Sequence, residues 1–216
     1  MIIYTLKIPN ELACLQDADL FEFLSSDRQR KVERLHFTVD KRVSLYSELL
    51  LKKIAALYLA IHPNKVIVAT YAYGKPYIKG HADFYFSISH TRSLIVLAVG
   101  VSLLGIDVEC CTNLLHVPSV VSHFSQEEQI YIENYSEKKK EVILEIWTKK
   151  EAYLKALGLG LLRKLNSFNV LNDTRFVTYK DEENIISLFS PAISQVGVVQ
   201  KQQVSVSELY DYYMSL

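Results

Sequence analysis

Phe23-Leu24-Ser25-Ser26-Asp27-Arg28-Gln29 and Phe124-Ser125-Gln126-Glu127-Glu128-Gln129 are two versions of one helix start, roughly 100 residues apart. In each, an apolar residue precedes a serine that can cap the helix, and polar, partly acidic residues follow. Working outward from the first copy, residues 25–36 read as a short capped helix. Residues 41–61 read as a longer Leu- and Ala-rich helix that Pro63 stops. Strand-like runs follow: VIVATYAY, a turn at Gly74–Pro76, FYFSISH and SLIVLAVG. From the second copy, residues 125–135 read as a capped helix and 139–157 as a longer one. The strands SFNVL, RFVTYK, IISLFS and QVGVVQ come next. A further strand is expected at residues 2–8. The order helix, helix, strands therefore occurs twice. It predicts an α+β fold of two similar halves, 1–101 and 102–216, in a pseudo-twofold arrangement. Each half would pack a helix pair on a small, mostly antiparallel sheet, with a cleft between the halves for a ligand.

The bulk composition narrows the function. The chain has 216 residues, half of them hydrophobic, with 24 Lys plus Arg against 24 Asp plus Glu. Zero formal charge argues against a nucleic-acid partner, so anion binding must come from local clusters. The cysteines Cys14, Cys110 and Cys111 are odd in number and lack zinc spacing, which fits a reducing compartment. The start MIIYTLKIPNELACL lacks the pattern of a signal peptide. The longest apolar stretches, Leu94 to Val101 and Ile54 to Ile61, are too short to span a bilayer. A soluble, cytoplasmic protein without membrane contacts is expected.

Five short segments carry candidate chemistry. In Gly105-Ile106-Asp107-Val108-Glu109 a strand would turn Asp107 and Glu109 to one side and Ile106 and Val108 to the core. Two carboxylates side by side suit a hard cation such as magnesium. In Trp147-Thr148-Lys149-Lys150-Glu151-Ala152-Tyr153-Leu154-Lys155, Glu151 and Lys155 share a helix face, with Lys150 beside it. Phe86-Ser87-Ile88-Ser89-His90 ends a strand in Ser89 and His90, two side chains able to donate to a phosphate. Gly74-Lys75-Pro76 is a turn that presents a lysine. Arg28, Arg30, Lys31, Lys41 and Arg42 give the first half a local basic density. Taken singly, each has a plainer reading: a polar strand face, a solvated helix, a strand-end histidine, a hairpin turn, a charged surface. Trp147 alone reads as core.

In series they say more. The basic helix, G-K-P, F-S-I-S-H, G-I-D-V-E and W-T-K-K-E-A-Y-L-K resemble the signatures of the 4′-phosphopantetheinyl transferases. The likeness is to the larger, surfactin-synthetase-activating type, with two halves in one chain, and it runs from about residue 28 to Val170. Arg92 departs from that pattern, which has a small residue there.

The resemblance implies an enzyme that moves the 4′-phosphopantetheine arm of coenzyme A to a serine of an acyl, polyketide or peptidyl carrier protein, releasing 3′,5′-adenosine bisphosphate. It implies Asp107, Glu109 and Glu151 as ligands of magnesium or manganese, with Asp107, Glu151 and Lys155 in the catalytic group. Lys155 would meet the pyrophosphate, and Ser89 and His90 would hold phosphates. Lys75, Arg28 and Lys31 would neutralise the 3′-phosphate, with Arg42 and Ser44 assisting. The proton acceptor stays open among Glu151, Glu127 and a metal-bound water. A monomer is expected. The long connection after Glu109, with Leu114, Leu115, Val117 and Val120, is a candidate carrier-docking surface, steered by Arg163 and Lys164. Two competing readings are a different metal-dependent phosphotransferase and an inactive carrier-binding module.

Overall fold

The computed structural model describes residues 1–9, 16–112, 117–135, 137–193 and 198–216. Leu114 and Leu115 of the expected docking loop, the side chain of Val117, and Cys14 lie outside the described residues.

The first half opens with strand β1 (Ile2–Lys7), followed by helices α1 (Gln16–Phe21), α2 (Ser26–Arg34) and α3 (Thr38–Leu59). Ser25 caps α2 as expected, its side chain accepting from the Arg28 N–H. A small hairpin, β2 (Val68–Thr70) and β3 (Pro76–Ile78), precedes the antiparallel strands β4 (Tyr85–His90) and β5 (Leu94–Gly100). The second half holds β6 (Gly105–Cys110), α4 (Val117–Val121), α5 (Gln126–Glu133) and α6 (Lys139–Leu157). The antiparallel strands β7 (Phe176–Asp181) and β8 (Asn184–Phe189) follow.

One sheet has the strand order β4-β5-β1-β9, where β9 is Gln200–Val204, and another has β6-β8-β7. Strand β5 explains the layering. It is apolar along nearly its whole length because both its faces are covered. Ile95, Leu97 and Val99 join α3 in one core; Leu94, Val96 and Ala98 join Ile106, Val108, Ile186 and Leu188 of the other sheet in a second. The far face of β8 supplies Ile185 and Phe189 to α6. The layers thus run helix, sheet, sheet, helix, the same from either end. Each fully buried aliphatic side chain contributes about 1.5–3 kcal/mol, so the inner, two-sided core stabilises both halves together.

Three local expectations are corrected. The segment SFNVL forms no strand. Its backbone groups are taken by side chains instead: the Val170 N–H donates to Glu128 and the Phe168 carbonyl accepts from Lys150. Of QVGVVQ, residues 195–197 lie outside the described residues, and the strand in this region is β9, which runs parallel to β1. The chain then ends in a helix the sequence reading lacked, α7 (Val206–Met214), opened by a Ser205–Glu208 capping box. Tyr213 of α7 donates its hydroxyl to the Leu49 carbonyl of α3 at 2.8 Å. Residues 200–216 therefore pack on the first half, although the expected second half ran to residue 216.

Candidate active site

The site forms where α6 crosses β6. Ile106 and Val108 are buried in the inter-sheet core, so Gly105, Asp107 and Glu109 face the helix. Helix and strand touch through their backbones. A Cβ on Gly105 would stand 2.0 Å from the Ala152 carbonyl oxygen and 2.5 Å from the Ala156 nitrogen. Gly105→Ala must therefore lift α6 off the strand and separate Glu151 from Asp107. A shift of about 1 Å is enough to cost about 100-fold in rate. We expect Gly105→Ala to lose activity at least to that extent and to lower the melting temperature; an alanine variant of wild-type rate would contradict the close approach.

Three residues of α6 at intervals of four, Trp147, Glu151 and Lys155, line this contact. Trp147 donates its indole N–H to Glu109 Oε1 at 3.1 Å. Lys155 donates to Asp107 Oδ1 at 2.6 Å and to Ser89 Oγ at 2.7 Å, and Ser89 donates to the same Asp107 oxygen at 2.8 Å. Ser89 comes from β4, which lies beside β6. There Ser87 Oγ accepts from the Ile106 N–H at 3.1 Å. The two halves thus meet at the carboxylates.

The other Asp107 oxygen, Oδ2, and Glu151 Oε1 are buried without a hydrogen-bond partner. Such oxygens are costly unless a cation or donor meets them. The electrostatics agree. Burial, then the neighbouring charges of Asp107 and Glu109, push Glu151 up to about 7, with Lys155 opposing. Burial also raises Glu109, against the Trp147 hydrogen bond. Two of the three carboxylates, Asp107 and Glu151, thus keep an unpartnered oxygen, and carboxylate oxygens are the donor type that suits a hard divalent cation. Among the described residues, however, no group of three or more His, Cys, Asp or Glu side chains is placed to hold a metal ion.

Beside the carboxylates opens a cleft of about 850 Å³, lined by Arg28, Lys31, Ser44, Ser47, His90 and Arg92 among others. His90 and Glu109 line both this cleft and the carboxylate pocket of about 320 Å³. Although the His90 side chain is exposed, surrounding protein desolvates its ring. That lowers its pKa, with further lowering from Lys155, Lys31 and Arg28. Arg28 is anchored: its Nε donates to the buried Glu48 at 2.9 Å and a terminal nitrogen to Ser44 Oγ at 3.3 Å.

Several expected residues are placed as follows. Arg42 does not line the cleft; it is buried, with Nε on Asp17 at 2.7 Å and a terminal nitrogen on the Pro9 carbonyl at 3.2 Å, and it acts as a structural clamp. Lys75 does not join Arg28 and Lys31. Its ammonium donates to the Ala156 carbonyl, near the end of α6 where free carbonyls attract a cation. It lines a separate pocket of about 230 Å³ with Tyr73, Phe86 and Lys155. Ser89 points to Asp107, and Glu127 is held by Asn169 at 2.6 Å and does not line the carboxylate pocket. In the expected docking region, Val120 packs against the α5–α6 core, and Arg163 is bonded to Tyr153 at 2.9 Å, while Lys164 is exposed. Trp147, which sequence reasoning assigned to the core, does pack against the α5–α6 core, and it also lines the site; the interval 147, 151, 155 is the pattern that points to this second role.

Residues 103–195 match the family model of the 4′-phosphopantetheinyl transferase superfamily, and residues 16–102 match that of the 4′-phosphopantetheinyl transferase N-terminal region. A 4′-phosphopantetheinyl transferase of Aneurinibacillus migulanus, gsp, is 30% identical over 194 residues, covering 87% of this chain and 79% of the relative. The chain belongs to the 4′-phosphopantetheinyl transferase family. The transferase Sfp of Bacillus subtilis strain 168 is 25% identical over 171 residues, covering 79% of this chain and 76% of that protein. An L-aminoadipate-semialdehyde dehydrogenase-phosphopantetheinyl transferase of Schizosaccharomyces pombe is 31% identical over 160 residues, 65% of this chain and 61% of that one. The two family matches meet between β5 and β6, where the halves of this phosphopantetheinyl transferase join. Among the described residues, no helix is long and apolar enough to cross a membrane.

Proposed function

We propose that the chain transfers 4′-phosphopantetheine from coenzyme A to a serine hydroxyl of a carrier protein, with a divalent cation held by Asp107, Glu109 and Glu151. The observation that carries this is the pair of buried, unpartnered carboxylate oxygens beside a cation-lined cleft. The cleft is within the usual size for a small-molecule site.

When bound, the cation would neutralise charge on the pyrophosphate and the departing phosphate. The remaining work belongs to the chain. Lys155, anchored by Asp107 and Ser89, is the nearest ammonium for a pyrophosphate oxygen. Lys31 and Arg28 supply positive charge to the nucleotide end, with His90 between the two cavities. The serine oxygen bonds to the pantetheine-side phosphorus. The bond from that phosphorus to the bridging oxygen breaks, and 3′,5′-adenosine bisphosphate leaves with the electron pair. The serine proton goes to a base; of the two side chains open for this role, only Glu151 lines the pocket.

The test is mass spectrometry of several apo-carrier proteins incubated with this protein, coenzyme A and magnesium. A phosphopantetheine adduct is expected on at least one carrier, and none in excess chelator. No adduct on any carrier would overturn the activity; an equal yield in chelator would overturn the cation alone.

A further inference from the structure

The cleft carries one cation with no assigned task. Arg92 sits in the tight turn between β4 and β5. That turn is fixed by its own residues. The Thr91 N–H donates to the Leu94 carbonyl at 2.8 Å, and Thr91 Oγ1 accepts from the Ser93 and Leu94 N–H groups at 3.3 and 3.1 Å. Arg92 is thus held by its backbone at the wall of the 850 Å³ cleft while its side chain stays exposed. Among the described residues the side chain makes no hydrogen bond, ion pair or ring contact.

The other cleft cations differ. Arg28 lies against buried Glu48, which balances much of its charge. Lys31 is exposed on α2, a single ammonium on a flexible stem. The wall also carries Asp40, Glu109 and Glu183, which would repel an anion if nothing offset them. Arg92 supplies what this cleft otherwise lacks, an uncommitted planar guanidinium with a fork of donors. That geometry matches a terminal phosphate, which can take two parallel hydrogen bonds.

We propose that Arg92 is a specificity residue that binds the 3′-phosphate of coenzyme A from the β4–β5 turn of the cleft. This rests on the assignment of the cleft to the nucleotide.

The experiment compares coenzyme A with 3′-dephospho-coenzyme A, by calorimetry and by transfer kinetics, in wild type, Arg92→Ala and Arg92→Lys. A lost charge-assisted contact at an exposed site should weaken coenzyme A about tenfold in Arg92→Ala. Dephospho-coenzyme A should bind wild type and variant alike, kcat should hold, and lysine should restore only part of the loss because it keeps the charge without the fork. Melting curves should be unchanged, since the side chain has no partner to lose. If wild type binds both ligands equally, the nucleotide does not lie in this cleft as assigned. If wild type prefers coenzyme A and Arg92→Ala keeps that full preference, the role of Arg92 is overturned and the cleft assignment stands. An equal loss for both ligands overturns it too, because the contact is then not to the 3′-phosphate.

Discussion

Glu151→Gln is expected to reduce transfer by at least about 100-fold and, in the metal-free protein, to raise stability at pH 8. The two effects share one cause. Burial, then Asp107 and Glu109, push the Glu151 carboxyl up to about 7 from its ordinary 4.5. The folded state therefore favours the neutral form. This stabilisation is fully present below the unfolded pKa near 4.5 and is lost as pH rises through the folded value near 7. Above that, the fold carries an ionised, partly orphaned carboxylate. The cost has an upper bound of about 3 kcal/mol from the size of the shift, and solvent at the pocket mouth reduces it. Glutamine has the shape of the neutral acid and no such titration. Melts in chelator should then show a gain of several degrees over wild type at pH 8, and little or none at pH 5. An equal gain at both pH values would mean the charge is not the cause. Undiminished transfer would remove Glu151 from the site.

Lys150→Met is expected to cost about 3–5 kcal/mol of folding stability, a large share of the roughly 5–15 kcal/mol a domain has. Lys150 is the neighbour of Glu151 but turns the other way. Its ammonium is fully buried, 2.8 Å from Glu128 Oε2, and donates to the carbonyls of Leu165 and Phe168 at 2.8 and 2.7 Å. All three donors are thus engaged. Burial pulls its pKa down and Glu128 holds it up. Methionine would leave Glu128 charged in the core and two carbonyls unmet. Urea titration measures the loss. A change under 1 kcal/mol would show that Glu128 finds other donors. Because Lys150 touches no cavity named here, the folded fraction should keep its affinity for coenzyme A, which separates this lysine from Lys155.

The lysine pair shows where the sequence was legible and where it was not. Asp107 and Glu109 declared a common side by alternation, and Glu151 and Lys155 by their spacing, because strand and helix periods are local. Nothing local says that Lys150 is buried, since its partner lies on α5 and its carbonyls in a later turn. Arg42 failed for the same reason: its partner Asp17 is on α1, and a basic residue on a helix looks solvated until the rest is packed. Lys75 was read from a turn, and the turn exists, but the end of α6 determines where its ammonium goes. The helix capped by Ser205 follows a capping box that is local in sequence; the irregular path of SFNVL is not local, because the side chains that replace its ladder come from two other helices.

The return of β9 to the side of β1 has a consequence for how the molecule is made. β1 pairs with β5 on one side and with β9, nearly two hundred residues later, on the other. A chain emerging from the ribosome can close the β1–β5 ladder early, yet its first sheet keeps an open edge until β9 follows. That edge is a template for pairing with another chain. The order of synthesis thus separates in time the covering of the two sides of β1, and β9 closes the side that would otherwise stay open to a neighbouring chain.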